Sequence, residues 1–260
     1  MKRLIILLCV ILTTVMLFPQ KAIFLHHSTG NGVWKGGVPE WIADYNATHN
    51  SNFQATEFSY PNKPYPWANY PYDFWNLWVN NSCDSNEKNI ECLNTLVDEY
   101  DLIIIKHCFP GAAIKADTGN PDIASQTKTL ENYKLQYRGL RELFDSYPAT
   151  KFMVWTLAPL HRLATDEEDA ARAKEFVEWV KTEWLTENGK SHSNISIFDF
   201  FELAAEPNPS PLNGEMNCLR YEYELSHDND DSHPNAAANT TIAPHFAKAI
   251  VDALTDTCQK

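Results

Sequence analysis

Positive charge is scarce in this 260-residue sequence, which has 21 Lys and Arg residues against 34 Asp and Glu residues and a net charge of −13. A surface of this sign repels phosphate backbones, so the composition argues against a nucleic-acid partner. The sequence also lacks internal repeats, low-complexity tracts and a clear linker. We therefore predict one domain over residues 21–260, and an overall hydrophobic content of 44% is enough to build its core.

The longest apolar run is short for a membrane span. Residues 4–18 form a run of about 15 residues, whereas a transmembrane helix needs about 20. Lys2 and Arg3 precede this run, as in an export signal, so residues 1–20 are predicted to be a signal peptide. Residues 18–22 lack the small-residue pattern of a cleavage site, which leaves an N-terminal anchor as the alternative. We expect a secreted or periplasmic protein that contacts the membrane only if this segment is retained.

The cysteines are few, and their positions favour an oxidising compartment. Cys83 and Cys92 flank a polar loop and are predicted to form a disulfide. Cys218 and Cys258 could form a second bridge near the C-terminus. Cys108 ends an apolar segment and is then left over as a buried free thiol.

Continuous apolar segments alternate with helical patterns along the chain. Strands are predicted at residues 22–27, 53–60, 101–106, 151–156 and 195–200, and helices at residues 38–47, 127–146, 167–186 and 242–254. This alternation predicts an α/β protein whose parallel sheet is covered by helices on both faces. Ligands bind at the carboxyl ends of the strands in such folds. Ser28, residues 107–110 and residues 156–159 follow three of these ends and are expected to line one edge of the sheet.

A serine and a histidine at opposite ends of the chain could form a catalytic pair. Ser28 follows the first strand, and His233 lies in the segment Asp-Asp-Ser-His-Pro-Asn with Asp230 three residues before it. A histidine can remove the proton of a serine hydroxyl, and a carboxylate can orient that histidine. As a less favoured alternative, His27, His107, Asp230 and His233 could gather around zinc in a metal-dependent hydrolase, although no His-Glu-x-x-His motif is present.

The order of these segments resembles the SGNH/GDSL hydrolase family over nearly all of residues 21–260. The matching places are Phe-Leu-His-His-Ser-Thr-Gly at residues 24–30, the strand at 101–109, the strand ending in Thr-Leu-Ala-Pro at 151–159, and Asp230-x-x-His233. The resemblance implies a three-layer α/β/α, flavodoxin-like fold and no cofactor. It also implies Ser28 as the nucleophile, His233 as the general base and Asp230 as its orienting partner, with the Ser28 backbone N–H as the first oxyanion donor.

Three features depart from the family pattern or leave a choice. The family's glycine after the second strand is missing from residues 60–72, and its asparagine is missing from residues 106–111. Lys106 and His107 are therefore the candidates for further oxyanion donors. Asp228 and Asp231 compete with Asp230, which we favour for its three-residue spacing. The missing donors also keep open a non-catalytic carbohydrate-binding protein on the same fold.

Aromatic residues are concentrated at positions 60–78. Flat aromatic faces suit the apolar faces of sugar rings, which makes Trp67, Tyr70 and Trp75 candidates for substrate binding, whereas packing in the core is the alternative for all three. Together with these aromatic residues and the export signal, the resemblance to SGNH/GDSL hydrolases implies an exported serine esterase that deacylates a carbohydrate, with acetyl as the expected acyl group. A polysaccharide ester or a small-molecule ester would be its substrate.

Overall fold

The computed structural model describes residues 19–63, 65–66, 70–83 and 91–256. Their five strands form one parallel sheet in the order β2-β1-β3-β4-β5. The strands are β1 (Gln20–His26), β2 (Phe53–Ser59), β3 (Leu102–Ile105), β4 (Lys151–Trp155) and β5 (Ile195–Phe198). All five predicted strands are confirmed, and each ends within two residues of its predicted end.

Helices cover both faces of the sheet, which confirms the predicted three-layer, flavodoxin-like α/β fold. The helices of the described residues are α1 (Thr29–Lys35), α2 (Val38–His49), α3 (Pro71–Phe74), α4 (Leu93–Glu99), α5 (Leu130–Asp145), α6 (Glu167–Thr182), α7 (Phe200–Ala204) and α8 (Ala236–Thr255). A π-helical turn follows α3 at Trp75–Val79, and short 3-10 turns lie at Phe109–Ala112 and Tyr221–Tyr223.

Each face of the sheet buries its own apolar core because side chains alternate along a strand. Ile23 and Leu25 of β1 pack on one face with residues of α4, α5 and α6. Phe24 packs on the other face with residues of α1, α2 and α8. Buried strands of this kind read as unbroken apolar runs, which explains why the sequence predicts β3 so clearly.

The sheet reverses its winding direction between β1 and β3. The chain proceeds from β1 outward to β2, then returns to place β3 on the other side of β1. The helices that follow β1 and β3 therefore leave on different faces, and the carboxyl ends of these two strands are the place where folds of this kind bind ligands. Ser28 follows one of these ends and Lys106 the other.

The last helix begins earlier than its apolar pattern predicts. The predicted helix starts at residue 242, whereas α8 starts at Ala236 because the Asn235 side chain caps it, accepting from the Ala238 N–H at 3.0 Å. Its first turn contains small and polar residues, so periodicity alone does not reveal it. The helix α1 also escapes prediction, since it has seven residues and two glycines.

The predicted disulfide between Cys83 and Cys92 is confirmed, with a Cα–Cα distance of 5.7 Å. Cys108 is a buried free thiol, as expected, and Cys218 is also buried and free, so it forms no bridge. Cys258 and residues 1–18 of the predicted signal peptide, which spans residues 1–20, lie outside the described residues. Within the described ranges, we find no helix with the length and apolar character needed to cross a membrane.

Candidate active site

Ser28 occupies a sharp turn between β1 and α1. Its φ of 49° and ψ of −96° lie in a region that side-chain-bearing residues seldom adopt, and its side chain is exposed. Strained backbone of this kind is concentrated at functional positions. The turn needs glycine nearby, because a Cβ on Gly30 would lie 2.6 Å from the Cβ of His26. Gly30 thus lets α1 start directly on top of the strand and present Ser28 at the sheet edge.

The fold brings Ser28 and His233 together across 205 residues of sequence. The Ser28 Oγ and His233 Nε2 atoms are hydrogen-bonded to each other. His233 is held from a second side by Phe109, whose ring meets the imidazole edge-on at a centroid distance of 5.0 Å. Phe109 begins the 3-10 turn after β3, so the segments that follow β1 and β3 supply Ser28 and Phe109 to the histidine. The sequence placed residues 107–110 at this edge of the sheet but did not single out Phe109, because nothing in the local pattern shows that its ring meets His233.

Asp231 contacts His233, in place of the predicted Asp230. The Asp231 Oδ1 atom lies 2.5 Å from His233 Nδ1 and also accepts the His233 backbone N–H at 3.0 Å. This geometry is an Asx turn, in which an aspartate bonds the backbone two residues ahead. The Asp230 side chain is exposed. The three-residue spacing was therefore the wrong guide, because a turn at this point directs the carboxylate at the second residue onward.

The electrostatics of the pair suit a histidine that must accept a proton. Partial burial would raise the pKa of Asp231, but the hydrogen bonds that it accepts from the ring and the backbone of His233 lower it overall. Asp231 consequently stays ionised and accepts a hydrogen bond from His233 Nδ1–H. The proton on Nδ1 leaves Nε2 as the acceptor for the Ser28 hydroxyl.

The two histidines before Ser28 support the strand end. His26 Nε2 lies 2.9 Å from Glu57 of β2, and His27 Nε2 lies 2.7 Å from the Pro61 carbonyl oxygen, on the loop after β2. Burial lowers the pKa of His26 to about 3, assisted by the charges of Lys106 and His27. His26 is therefore neutral near pH 7 and donates a hydrogen bond to Glu57. Both histidines thus bond the end of β1 to β2 and the loop after it, directly before Ser28.

Lys106 and His107 are buried, which argues against both as oxyanion donors. Lys106 Nζ donates to the His107 carbonyl oxygen at 2.9 Å, and burial lowers its pKa. His107 Nε2 lies 2.9 Å from the Tyr137 hydroxyl of α5, and burial lowers the pKa of His107 to about 3. Neither side chain reaches the exposed surface on which Ser28 lies.

Two of the three predicted sugar-binding aromatic residues belong to the core. Tyr70 is 4% exposed and stacks on Tyr133 of α5 at a centroid distance of 6.3 Å. Trp75 is 6% exposed and packs against Gly139 of the same helix. Their burial leaves no open face for a sugar ring, so the alternative of core packing is correct for both. Trp67 lies outside the described residues.

The site is open to solvent on the sheet edge. Clefts of about 370, 400 and 350 Å³ lie elsewhere, one beside the disulfide and two near the start of α6 and the loop after α7. Neither Ser28 nor His233 lines any of these three. In the portion of the chain that the structure describes, no three His, Cys, Asp or Glu side chains converge as metal ligands would.

Comparisons with known proteins bear on the fold. No protein-family model matches the chain, and no curated protein matches it significantly. The solved structure of an acetyl xylan esterase, AlAXEase, is similar at 15% identity over 88% of this chain and 98% of that chain, with a TM-score of 0.50. A Streptococcus pneumonia protein provisionally assigned as a platelet activating factor aligns at 9% identity over 94% of this chain and 86% of that chain, with a TM-score of 0.42. Together with the sheet order, the first similarity places the chain among flavodoxin-like three-layer α/β proteins.

Proposed function

We propose that this protein is an exported serine hydrolase of the SGNH type that removes acyl groups, in particular acetyl groups, from a carbohydrate. The observation that carries the proposal is the row formed by Ser28, His233 and Asp231 at the carboxyl edge of the sheet. Nucleophile, base and orienting carboxylate are there within hydrogen-bonding reach, which is the arrangement that serine catalysis requires.

In the proposed reaction, His233 Nε2 takes the proton of Ser28 as Oγ attacks the ester carbonyl carbon. The carbonyl oxygen becomes an oxyanion, and the Ser28 backbone N–H is the donor proposed for it. When the intermediate collapses, the bond to the alcohol breaks and the His233 imidazolium protonates the departing oxygen. Asp231 stabilises the imidazolium throughout. A water molecule then repeats the sequence on the acyl-enzyme and releases the acid, so no cofactor is required.

The choice of substrate rests on three further observations. The exposed Ser28 suits an ester carried on a large molecule, because such a group needs no enclosed cavity. The Cys83–Cys92 disulfide and the apolar N-terminus favour an extracytoplasmic location, where polysaccharides are found. The fold is also that of an acetyl xylan esterase, which supports acetyl as the first acyl group to test.

The test measures hydrolysis of p-nitrophenyl acetate and acetylated xylan by the wild type, Ser28→Ala and His233→Ala, each with and without a chelator. Ser210→Ala and His245→Ala are matched controls, since both side chains are exposed and lie outside the row. We expect chelator-insensitive activity that falls by a factor of about 10³ or more in the first two variants only. Activity that survives Ser28→Ala would refute the mechanism, and xylan binding without turnover would favour the non-catalytic alternative.

A further inference from the structure

The loop between α7 and α8 carries both Asp231 and His233, so its attachment to the sheet decides where they lie. Glu224 and Pro234 form an isolated antiparallel bridge across this loop. Asn235 Nδ2 donates to the carbonyl oxygens of Glu222 at 2.8 Å and Glu224 at 3.1 Å. The segment around Glu224 is therefore bonded to the residues that directly follow His233.

The Glu224 carboxylate lies buried at the centre of a cluster of nitrogen atoms. Its side chain is fully buried, and its oxygens lie 3.1 Å from His161 Nε2, 3.1 Å from Arg162 Nε and 2.8 Å from His227 Nδ1. Of these contacts only the one with His227 has hydrogen-bond geometry, whereas Arg162 and His161 approach the carboxylate closely without bonding it. Burying a carboxylate is costly unless it is paired, so the charge of Arg162 attracts this part of the loop to the segment after β4. Tyr221 covers the cluster by stacking on the His227 ring at a centroid distance of 3.8 Å.

His161 joins this cluster to the catalytic row. Its backbone N–H donates to Ser232 Oγ at 2.9 Å, and Ser232 lies between Asp231 and His233 in sequence. His161 Nδ1 accepts the Leu163 N–H at 3.0 Å, so the imidazole proton is on Nε2. Nε2 donates it to the Ser226 carbonyl oxygen at 3.1 Å and lies equally close to the Glu224 carboxylate. The segment with His161 follows β4, which gives the contact a rigid origin in the sheet.

We infer that His161 and Glu224 are positioning residues that hold the Asp231–His233 pair in register with Ser28. The inference rests on the proposed function and adds a second layer behind the row of Ser28, His233 and Asp231. The physical reason is that proton transfer tolerates errors of only about 0.5 Å in the placement of the base. His161 and Glu224 link the loop to the sheet that also carries Ser28. Removing either side chain is therefore expected to shift His233 Nε2 relative to Ser28 Oγ.

The experiment compares the wild type with Glu224→Gln, His161→Leu and His161→Gln, using Glu222→Gln as the matched control because that side chain is exposed on the same loop. A fluorophosphonate titrates the reactive serines, so kcat is expressed per active site. We expect Glu224→Gln and His161→Leu to lower kcat about 10- to 100-fold with KM within twofold. His161→Gln keeps a donor near the Nε2 position and should recover at least a third of the wild-type kcat. Glu222→Gln should match the wild type.

A purely structural role predicts a different result. In that case Tm and the titratable fraction fall while kcat per active site is unchanged, and this outcome would overturn the inference. If the wild type neither hydrolyses esters nor reacts with the probe, the proposed function fails, yet NMR of ¹⁵N-histidine-labelled protein still tests the inference. The His233 Nδ1 proton resonance should shift in Glu224→Gln and stay in place in Glu222→Gln. An unchanged resonance in Glu224→Gln would refute the positioning role.

Discussion

The identity of the carboxylate behind His233 is the sharpest prediction of the structure. Asp231→Asn keeps the shape of the side chain and the acceptor for the His233 backbone N–H, but it removes the charge that faces Nδ1. Asp230→Asn is the matched control, since it makes the same chemical change one residue away on an exposed side chain. The two variants therefore separate the Asx-turn geometry from the three-residue spacing.

The expected magnitude follows from the charge that the acceptor of this hydrogen bond loses. A bond to a charged group contributes about 1.5–3 kcal/mol, and the 2.5 Å contact between Asp231 Oδ1 and His233 Nδ1 becomes fully ionic when His233 takes the serine proton. The Asp231 side chain is 37% exposed, so solvent screening reduces this contribution to about 1–2 kcal/mol. Since about 1.4 kcal/mol is tenfold in rate, we expect kcat/KM to fall about 5- to 30-fold.

The assay is hydrolysis of p-nitrophenyl acetate at pH 7.5 or above, with Tm recorded for each variant to show that it is folded. Asp230→Asn should change kcat/KM by less than about twofold, as expected of an exposed surface substitution. If Asp230→Asn instead loses more activity than Asp231→Asn, the geometry of the turn is misread and the family spacing is the correct guide.

Three further predictions concern stability. Burial lowers the pKa of His107 from 6.5 to about 3, so between these pH values the unfolded state binds a proton that the folded state does not. Tm should therefore fall as the pH drops from about 6.5 toward 3, and His107→Gln should reduce this fall. An equal fall of Tm with pH in the variant and the wild type would contradict the prediction. Gly30→Ala should lower the free energy of unfolding in urea by about 1–3 kcal/mol, because the added Cβ would lie 2.6 Å from the His26 side chain. Gly139→Ala, whose Cβ would lie 3.2 Å from Trp75, should cost clearly less. Equal losses would argue against close packing of α1 on β1 at the Ser28 turn. Cys83→Ser opens a disulfide that spans nine residues and should lower the free energy of unfolding by about 2–3 kcal/mol, a loss that dithiothreitol reproduces in the wild type but not in the variant.

Much of the architecture could be read from the chain because it depends on local patterns. Strands buried on both faces need unbroken apolar runs, and β3 and β4 show them in sequence. The alternation with helical segments then leaves a parallel sheet as the simplest arrangement. The Cys83–Cys92 bridge was also predictable, since a nine-residue separation around a polar loop brings two cysteines within reach. Ser28 and His233 were identified by their places after a strand and before a helix.

The finer composition of the site depended on tertiary contacts that no local pattern encodes. Asp230 and Asp231 are equivalent as letters, and only the turn that the loop adopts decides which carboxylate meets His233. Tyr70 and Trp75 could serve equally in a binding surface or a core, and their packing on α5 places them in the core.

The same reasoning applies to the polar residues that follow strands β3 and β4. A lysine or histidine after a strand end suggests a site, yet both Lys106 and His107 are buried, and His107 contacts Tyr137 of the covering helix α5. His161 attracts no notice in the sequence, because its partner Glu224 is 63 residues away and the two meet only when the loop folds back onto the sheet. Local sequence specifies which segments become strands and helices, whereas the choice among chemically similar side chains is made by the long-range packing that brings distant segments together.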